Sequence, residues 1–159
     1  MKTAIVPGTF DPITNGHLNI IKRAAKLFNH VIIGVAKSAG KHPIFSLEKR
    51  VELARNACVD IPNVEVKSFD GLLVEFAKEC NAQTVVKGLR IVTDFDYEIQ
   101  MASLNRKLNP ELESVFLMSS PKYCYVSSTQ IRELAYMGGD YTDLVPECVS
   151  EALAAMFDA

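Results

Sequence analysis

The sequence is short of several features that mark particular classes of protein. Its 159 residues contain no tryptophan, and 17 basic residues stand against 19 acidic ones, which gives a net charge of −2. The chain therefore has no excess of positive charge with which to attract nucleic acid, and we expect no nucleic-acid partner. The longest apolar runs, such as 31–36, are far shorter than the ~18 residues of a membrane span, and we expect no membrane association.

The cysteines show no spacing that is typical of a metal site or a redox pair. They are Cys58, Cys80, Cys124 and Cys148, and the three histidines do not combine with them into a zinc pattern. The amino terminus lacks the apolar segment and cleavage site of a signal peptide. We therefore expect a cytoplasmic protein with reduced, mostly buried thiols.

What the sequence does contain is enough apolar material for one core, arranged in an alternating pattern. Hydrophobic residues make up 48% of the chain, and its length suits one domain spanning 1–159. Short β-branched runs predict strands, and the longer amphipathic stretches between them predict helices. The predicted strands are 3–6, 30–36, 64–68, 84–87 and 114–118.

The intervening helices are predicted from apolar residues that recur on one helical face. We expect Ser46, Asp70 and Thr93 to cap the amino ends of three of them. The apolar stripes are Leu18, Ile21, Ala25 and Phe28; Leu47, Val51, Ala54 and Cys58; Leu73, Phe76, Ala77 and Cys80; and Tyr97, Met101, Leu104 and Leu108.

This alternation predicts an α/β fold: a Rossmann-like, open, parallel five-stranded sheet with helices on both faces. The carboxyl-terminal part departs from the alternation and predicts two helices, one over 127–137 ended by Gly138 and one opened by Pro146. In such sheets ligands bind beyond the carboxyl ends of the strands, so the loops there are where a site is expected.

The loop after the first predicted strand has the composition of a phosphate-binding turn. Over 7–17 it reads P-G-T-F-D-P-I-T-N-G-H, which is neither a Walker loop nor a G-x-G-x-x-G turn. Gly8 permits a tight turn, and Thr9 presents a hydroxyl and an amide. His17 falls in the first turn of the next helix, where the helix dipole favours phosphate oxygens. A lone histidine there is more often a surface residue, but the whole loop favours a phosphate site.

A second candidate stretch carries two cations around a glycine at the end of the fourth predicted strand. Lys87 and Arg90 flank Gly88, and two cations three residues apart can hold a polyphosphate from two sides. Glu98, on the helix that follows, can face the same site. Taken alone, it is interpreted as a solvated helix carboxylate.

A third stretch places three consecutive hydroxyl side chains at the start of a helix. Ser127 is the expected N-cap, which leaves the first amides of that helix able to meet an anion. Arg132 follows on the next turn. A capped helix needs only one of these hydroxyls, so the run favours a phosphate site over simple capping.

Together these stretches resemble the motifs of one enzyme superfamily. Segment 8–17 is similar to the first motif of the nucleotidyltransferases, with T-x-G-H in place of H-x-G-H, and 126–132 is similar to their I-S-S-T-x-I-R motif. With 85–98 and the loop around Lys41, the chain resembles the bacterial phosphopantetheine adenylyltransferases over nearly its full length. Lys87 stands where that family usually has arginine. An arginine can bind an anion through two parallel hydrogen bonds, whereas a lysine offers one compact charge.

The resemblance implies transfer of AMP from ATP to 4′-phosphopantetheine, which yields dephospho-coenzyme A and pyrophosphate. It implies catalytic roles for Thr9, His17 and Lys41, and contacts to phosphopantetheine from Thr9, Lys41, Leu73 and Lys87. The ATP contacts that it implies are Thr9, Phe10, His17, Gly88, Leu89, Arg90, Glu98, Tyr123, Cys124, Tyr125, Val126, Ser127, Ser128 and Thr129.

The resemblance also implies Mg²⁺ as cofactor, a homohexamer and feedback binding of coenzyme A. Because no tight cluster of carboxylates is evident, we expect Mg²⁺ to be held by phosphates and water rather than by side chains.

Two alternative functions stay open. One is another transferase of the superfamily, using nicotinate mononucleotide with ATP or a phospho-alcohol with CTP, and the other is a nucleotide-binding sensor without catalysis. An aminoacyl-tRNA synthetase fragment is disfavoured, since the chain has neither a K-M-S-K-S-like loop nor a basic net charge.

Overall fold

Five strands form one parallel sheet in the computed structural model, which describes residues 1–37, 42–90 and 92–157. The strands are β1 (Thr3–Gly8), β2 (His30–Ala36), β3 (Val64–Phe69), β4 (Thr84–Leu89) and β5 (Glu113–Met118). The helices are α1 (Asn15–Leu27), α2 (Leu47–Ala57), α3 (Leu73–Glu79), α4 (Val92–Leu108), α5 (Ser128–Tyr136) and α6 (Glu147–Phe157). All five predicted strands and both carboxyl-terminal helices are confirmed.

The order of the strands fixes where a ligand can bind. It is β3-β2-β1-β4-β5, with every neighbouring pair parallel. The chain therefore moves outward from β1 in one direction and then returns to add β4 on the other side. This reversal creates a crevice beyond the carboxyl ends of β1 and β4.

Alternate residues of the strands face two separate hydrophobic clusters, so helices cover both faces of the sheet as predicted. Ile5, Ile32 and Val85 belong to the cluster that contains Phe76 of α3. The opposite side chains belong to the larger cluster, which is formed with α1, α2, α5 and α6. Among the described residues, no helix is both long and apolar enough to cross a membrane.

Two of the three predicted helix caps are wrong. Ser46 does cap α2, with its Oγ accepting a hydrogen bond from the Lys49 amide at 3.1 Å. Leu72, not Asp70, is at the N-cap position of α3, because Gly71 with φ of +93° extends the turn before the helix can start. Helix α4 already begins at Val92, so Thr93 is not its N-cap.

The stripe predicted for α4 does not reach the core. Tyr97, Leu104 and Leu108 are 60%, 50% and 48% exposed, in contrast to the buried stripes of α1 and α2. Phe95 and Ile99 are exposed too, so apolar residues occur around much of the helix rather than on one side. The helix therefore presents an apolar surface that the described part of the chain leaves uncovered.

We predict that Gly34→Ala destabilises the fold through a clash between β2 and α3. A Cβ at position 34 would come within 2.7 Å of the Phe76 ring and 3.3 Å of the Phe69 ring, and those rings stack with centroids 4.6 Å apart. Overpacking of this kind typically costs about 1–3 kcal/mol, measurable by urea unfolding. In a Phe76→Leu background the same substitution should cost less. An equal cost in both backgrounds would show that the Phe76 clash is not the cause.

Candidate active site

A cleft of about 390 Å³ lies at the switch point of the sheet. Its walls come from the end of β1 and its loop, the start of α1, the end of β4, helix α4 and the start of α5. The structure brings together eleven of the residues predicted from the sequence: Thr9, His17, Lys87, Gly88, Arg90, Glu98, Tyr123, Val126, Ser127, Ser128 and Thr129.

Five other predicted residues, all within the described part of the chain, are not part of the cleft lining: Phe10, Leu73, Leu89, Cys124 and Tyr125. Phe10 is buried in the core, where its ring lies 4.9 Å from that of His17 and supports the histidine from behind. Lys41 lies outside the described residues. Leu89, Cys124 and Tyr125 are next to lining residues in the sequence, but they do not themselves line the cleft. Their contacts with ligands stay predictions.

His17 is held by a reciprocal cap at the start of α1. Its Nδ1 accepts a hydrogen bond from the Thr14 amide at 2.9 Å and lies 3.1 Å from the Thr14 hydroxyl, which in turn accepts from the His17 amide. This arrangement is a capping box in which histidine takes the place usually held by glutamate or glutamine. Because Nδ1 is an acceptor, the proton of the neutral ring is on Nε2, which is left as the donor for a ligand.

The surroundings of His17 keep the ring neutral. Burial and, to a smaller extent, the positive charge of Arg90 together lower the pKa of His17 from 6.5 to about 4. At neutral pH the ring therefore carries no charge, and its Nε2 can donate one hydrogen bond.

Lys87 and Glu98 form an ion pair inside the cleft. The Lys87 Nζ lies 2.8 Å from Glu98 Oε2, and both side chains are more than two-thirds buried. Both residues were predicted at the site from the sequence, but their pairing was not. Any anion that approaches Lys87 has to share its ammonium group with the Glu98 carboxylate, which limits the positive charge available there.

The start of α5 is attached to the loop between β1 and α1. The Ser127 Oγ caps the helix by accepting from the Gln130 amide at 3.2 Å, as predicted. Ser128 donates its hydroxyl proton to the Pro12 carbonyl at 2.7 Å. The first amides of α5 have no partner within the helix, so they can bind an anion together with the positive end of the helix dipole.

Three polar residues of the cleft lining were assigned no ligand contact in the sequence analysis: Thr14, Ser119 and Arg132. Arg132 donates to the Asp11 carbonyl at 2.7 Å and to the Thr129 hydroxyl at 3.2 Å, so it joins the two motifs. Its place in the I-S-S-T-x-I-R motif could have identified it. Ser119 follows β5 without any motif, and only the fold reveals its position.

Among the described residues, no group of three or more histidine, cysteine, aspartate or glutamate side chains could hold a metal ion. Of the acidic side chains that the structure describes, Glu98 is the one that lines the cleft, and Lys87 neutralises its charge. The four cysteines are unpaired thiols, of which Cys58 is buried and the other three are half-buried. Burial raises the pKa of Cys58 to about 11, so this thiol stays protonated.

Comparison with known proteins identifies similar chains. The profile of the cytidylyltransferase-like family matches residues 5–134. A phosphopantetheine adenylyltransferase from Caldanaerobacter subterraneus subsp. tengcongensis is 53% identical over 157 residues, which covers 99% of this chain and 98% of the relative. A solved structure from Vibrio parahaemolyticus, described as a nicotinate-nucleotide adenylyltransferase, superposes with a TM-score of 0.71 over 96% of this chain and 99% of that chain. At 20% identity, this last likeness shows the fold alone.

We predict that His17 gains its proton only near pH 4, because burial and Arg90 oppose the charge. The unfolded chain binds that proton between pH 6.5 and 4 while the folded chain does not. His17 should therefore lower the free energy of unfolding as the pH falls through this window and have no such effect above it. The ring proton resonance of His17, assigned by its loss in His17→Ala, reports the titration; a midpoint near 6.5 would contradict the prediction.

Proposed function

The chain belongs to the cytidylyltransferase-like family and, within it, to the phosphopantetheine adenylyltransferases, and we propose on this premise how its single domain carries out the reaction. ATP gives its adenylyl group to the phosphate of 4′-phosphopantetheine, and dephospho-coenzyme A and pyrophosphate are formed. The observation that carries the proposal is the meeting of Thr9, His17 and the start of α5 in one cleft at the switch point.

The chemistry needs no general base. An oxygen of the acceptor phosphate is already an anion, and it attacks the α-phosphorus of ATP in line with the bond to the β-phosphate. The new P–O bond forms as the old one breaks, and pyrophosphate carries away the electron pair. Catalysis then consists of holding the reactants in line and stabilising charge on the α-phosphoryl oxygens.

The residues of the cleft suit these two tasks. His17, neutral and protonated at Nε2, donates to an α-phosphoryl oxygen as negative charge develops there. Arg90 and the amides at the start of α5 hold the β- and γ-phosphates. Thr9 orients the attacking phosphate, and Lys87 contributes positive charge on the acceptor side. The role assigned to Lys41 in holding that phosphate stays a prediction, since it lies outside the described residues.

Mg²⁺ fits this site as part of the substrate. With Glu98 paired to Lys87, the described lining offers hydroxyls, amides and cations rather than a set of carboxylates. We propose that Mg²⁺ enters as Mg-ATP, held by the triphosphate and water, and offsets part of its charge. Removal of Mg²⁺ by chelation should therefore abolish turnover.

The acceptor is tested directly by pyrophosphate release. The protein is incubated with Mg-ATP and 4′-phosphopantetheine, with Mg-ATP and nicotinate mononucleotide, and with Mg-CTP and a phospho-alcohol. We expect release with 4′-phosphopantetheine alone. Release with another acceptor would assign a different transferase activity, and ATP binding without any release would indicate a sensor.

We predict that His17→Ala lowers kcat roughly 100- to 1000-fold, because one preorganised donor to a developing oxyanion is lost. ATP binding, measured by calorimetry, should be largely kept, since Arg90 and α5 are unchanged. His30→Ala is the matched control, because His30 pairs with Glu65 on β3, away from the cleft. A kcat for His17→Ala near that of the wild type would refute the role of His17.

We extend the proposal to the cellular setting: a cytoplasmic homohexamer that coenzyme A inhibits by feedback. What supports an assembly is the apolar surface of α4, where Tyr97, Leu104 and Leu108 are exposed. Surfaces of this kind are typical of protein–protein interfaces. Feedback is supported by chemistry, because coenzyme A shares the pantetheine arm and a nucleotide with the product.

We predict that the wild type sediments at six times the 17.6 kDa mass of the chain and that Leu104→Glu shifts it toward smaller species. Burial of a carboxylate in an apolar interface is costly, which is the reason for the shift. Leu27→Glu is the control, since Leu27 is 63% exposed at the end of α1. A monomeric wild type in analytical ultracentrifugation would rule out the assembly.

A further inference from the structure

Arg50 is a buried arginine that does not reach the cleft. It lies on α2, it is 2% exposed, and its guanidinium donates to four backbone carbonyls. The acceptors are Thr9 at 2.9 Å, Ala36 at 2.7 Å, Lys37 at 3.1 Å and Phe45 at 3.2 Å. They belong to the loop after β1, to the end of β2 with the residue that follows it, and to the segment before α2. One side chain therefore connects three segments that surround the site.

Asp11 completes this arrangement from the opposite side. Its carboxylate is also 2% exposed and accepts from the amides of Ile44 and Phe45, each at 3.0 Å. Phe45 is therefore held at its amide by Asp11 and at its carbonyl by Arg50. The contacts form a closed ring, from Thr9 through Asp11 and Phe45 to Arg50 and back to the Thr9 carbonyl.

A buried charge of this kind is costly, and hydrogen bonding offsets only part of the cost. Arg50 uses four donors of its planar fork, in directions that no other side chain can match. Its charge is isolated from the substrate pocket, because Arg50 does not line the cleft. Arg50 instead fixes the position of the Thr9 backbone, and Thr9 does line the cleft.

We propose that Arg50 and Asp11 are positioning residues for adenylyl transfer, which act by fixing the Thr9 backbone so that the Thr9 hydroxyl meets the attacking phosphate. The inference rests on the proposed function and on the role of Thr9 in it. Neither Arg50 nor Asp11 lines the cleft, so each acts through Thr9. A small displacement of Thr9 spoils the in-line geometry and slows the reaction without weakening the binding of ATP.

The test is the variant Arg50→Lys, which keeps the charge but offers its donors from a single atom. We expect kcat per ATP-binding site to fall roughly 10- to 100-fold, with sites counted by calorimetry and the KM for ATP changed by less than about twofold. Arg55→Lys is the matched control: Arg55 is on the same helix and donates to a carbonyl, that of Val66 at 3.2 Å, away from the cleft. It should keep the wild-type kcat.

A double-mutant cycle separates positioning from a merely structural role. Because Arg50 acts through the Thr9 hydroxyl, Arg50→Lys should cost little further kcat in a Thr9→Ala background. Asp11→Asn keeps the shape and one acceptor, and it should show the same selective loss if Arg50→Lys fails to fold. A loss of stability or of binding sites with normal kcat per site, or losses that are additive with Thr9→Ala, would overturn the inference.

The wild-type control keeps this inference distinct from the function on which it rests. If the wild type releases no pyrophosphate with 4′-phosphopantetheine, the proposed function fails. If the wild type is active and Arg50→Lys keeps the wild-type kcat per site, only the positioning role fails.

Discussion

The hydrogen bond from the Thr14 amide to His17 Nδ1 is the contact on which the chemistry of the site depends. It satisfies a backbone donor at the start of α1, and at the same time it fixes which ring nitrogen carries the proton. Thr14 and His17 thus cap the helix and also leave Nε2 of the ring as a hydrogen-bond donor. Burial then keeps the ring uncharged above the acidic range, so the hydrogen bond to phosphate that we propose for it would not depend on pH there.

The fold supplies the second constraint, because only the order of the strands brings the pieces together. The T-x-G-H loop follows β1, the pair of cations lies at the end of β4, and the hydroxyl run begins α5, far along the chain. Reversal of strand order at β1 and β4 puts the first two side by side. Arg132 and Ser128 then fasten α5 to the first loop through the Asp11 and Pro12 carbonyls.

The features predicted correctly are those that depend on residues close together in the sequence. The alternation of β-branched and amphipathic segments located all five strands, and Ser46 and Ser127 were recognised as caps because a cap involves only the next three residues. The prediction that Asp70 caps α3 was wrong because Gly71 adopts a positive φ, which the sequence alone does not reveal. The motifs located eleven cleft residues, since each motif occupies one continuous stretch.

Contacts between distant segments could not be predicted in this way. Periodicity on α4 could not show whether a second surface covers the helix, so its stripe was expected in the core and is instead exposed. The pairing of Lys87 with Glu98 depends on the angle between β4 and α4. The four carbonyls around Arg50 come together only once β1, β2 and α2 are packed, which leaves no pattern in the sequence itself.

Catalysis as we propose it depends on a neutral His17 that donates a hydrogen bond from Nε2 to the α-phosphate. The most direct measurement is the ¹⁵N spectrum of the His17 ring at neutral pH, free and with ATP bound. We predict an unprotonated Nδ1 and a protonated Nε2, with the Nε2 resonance shifting when ATP binds. A proton on Nδ1, or an Nε2 resonance that ATP leaves unchanged, would contradict it.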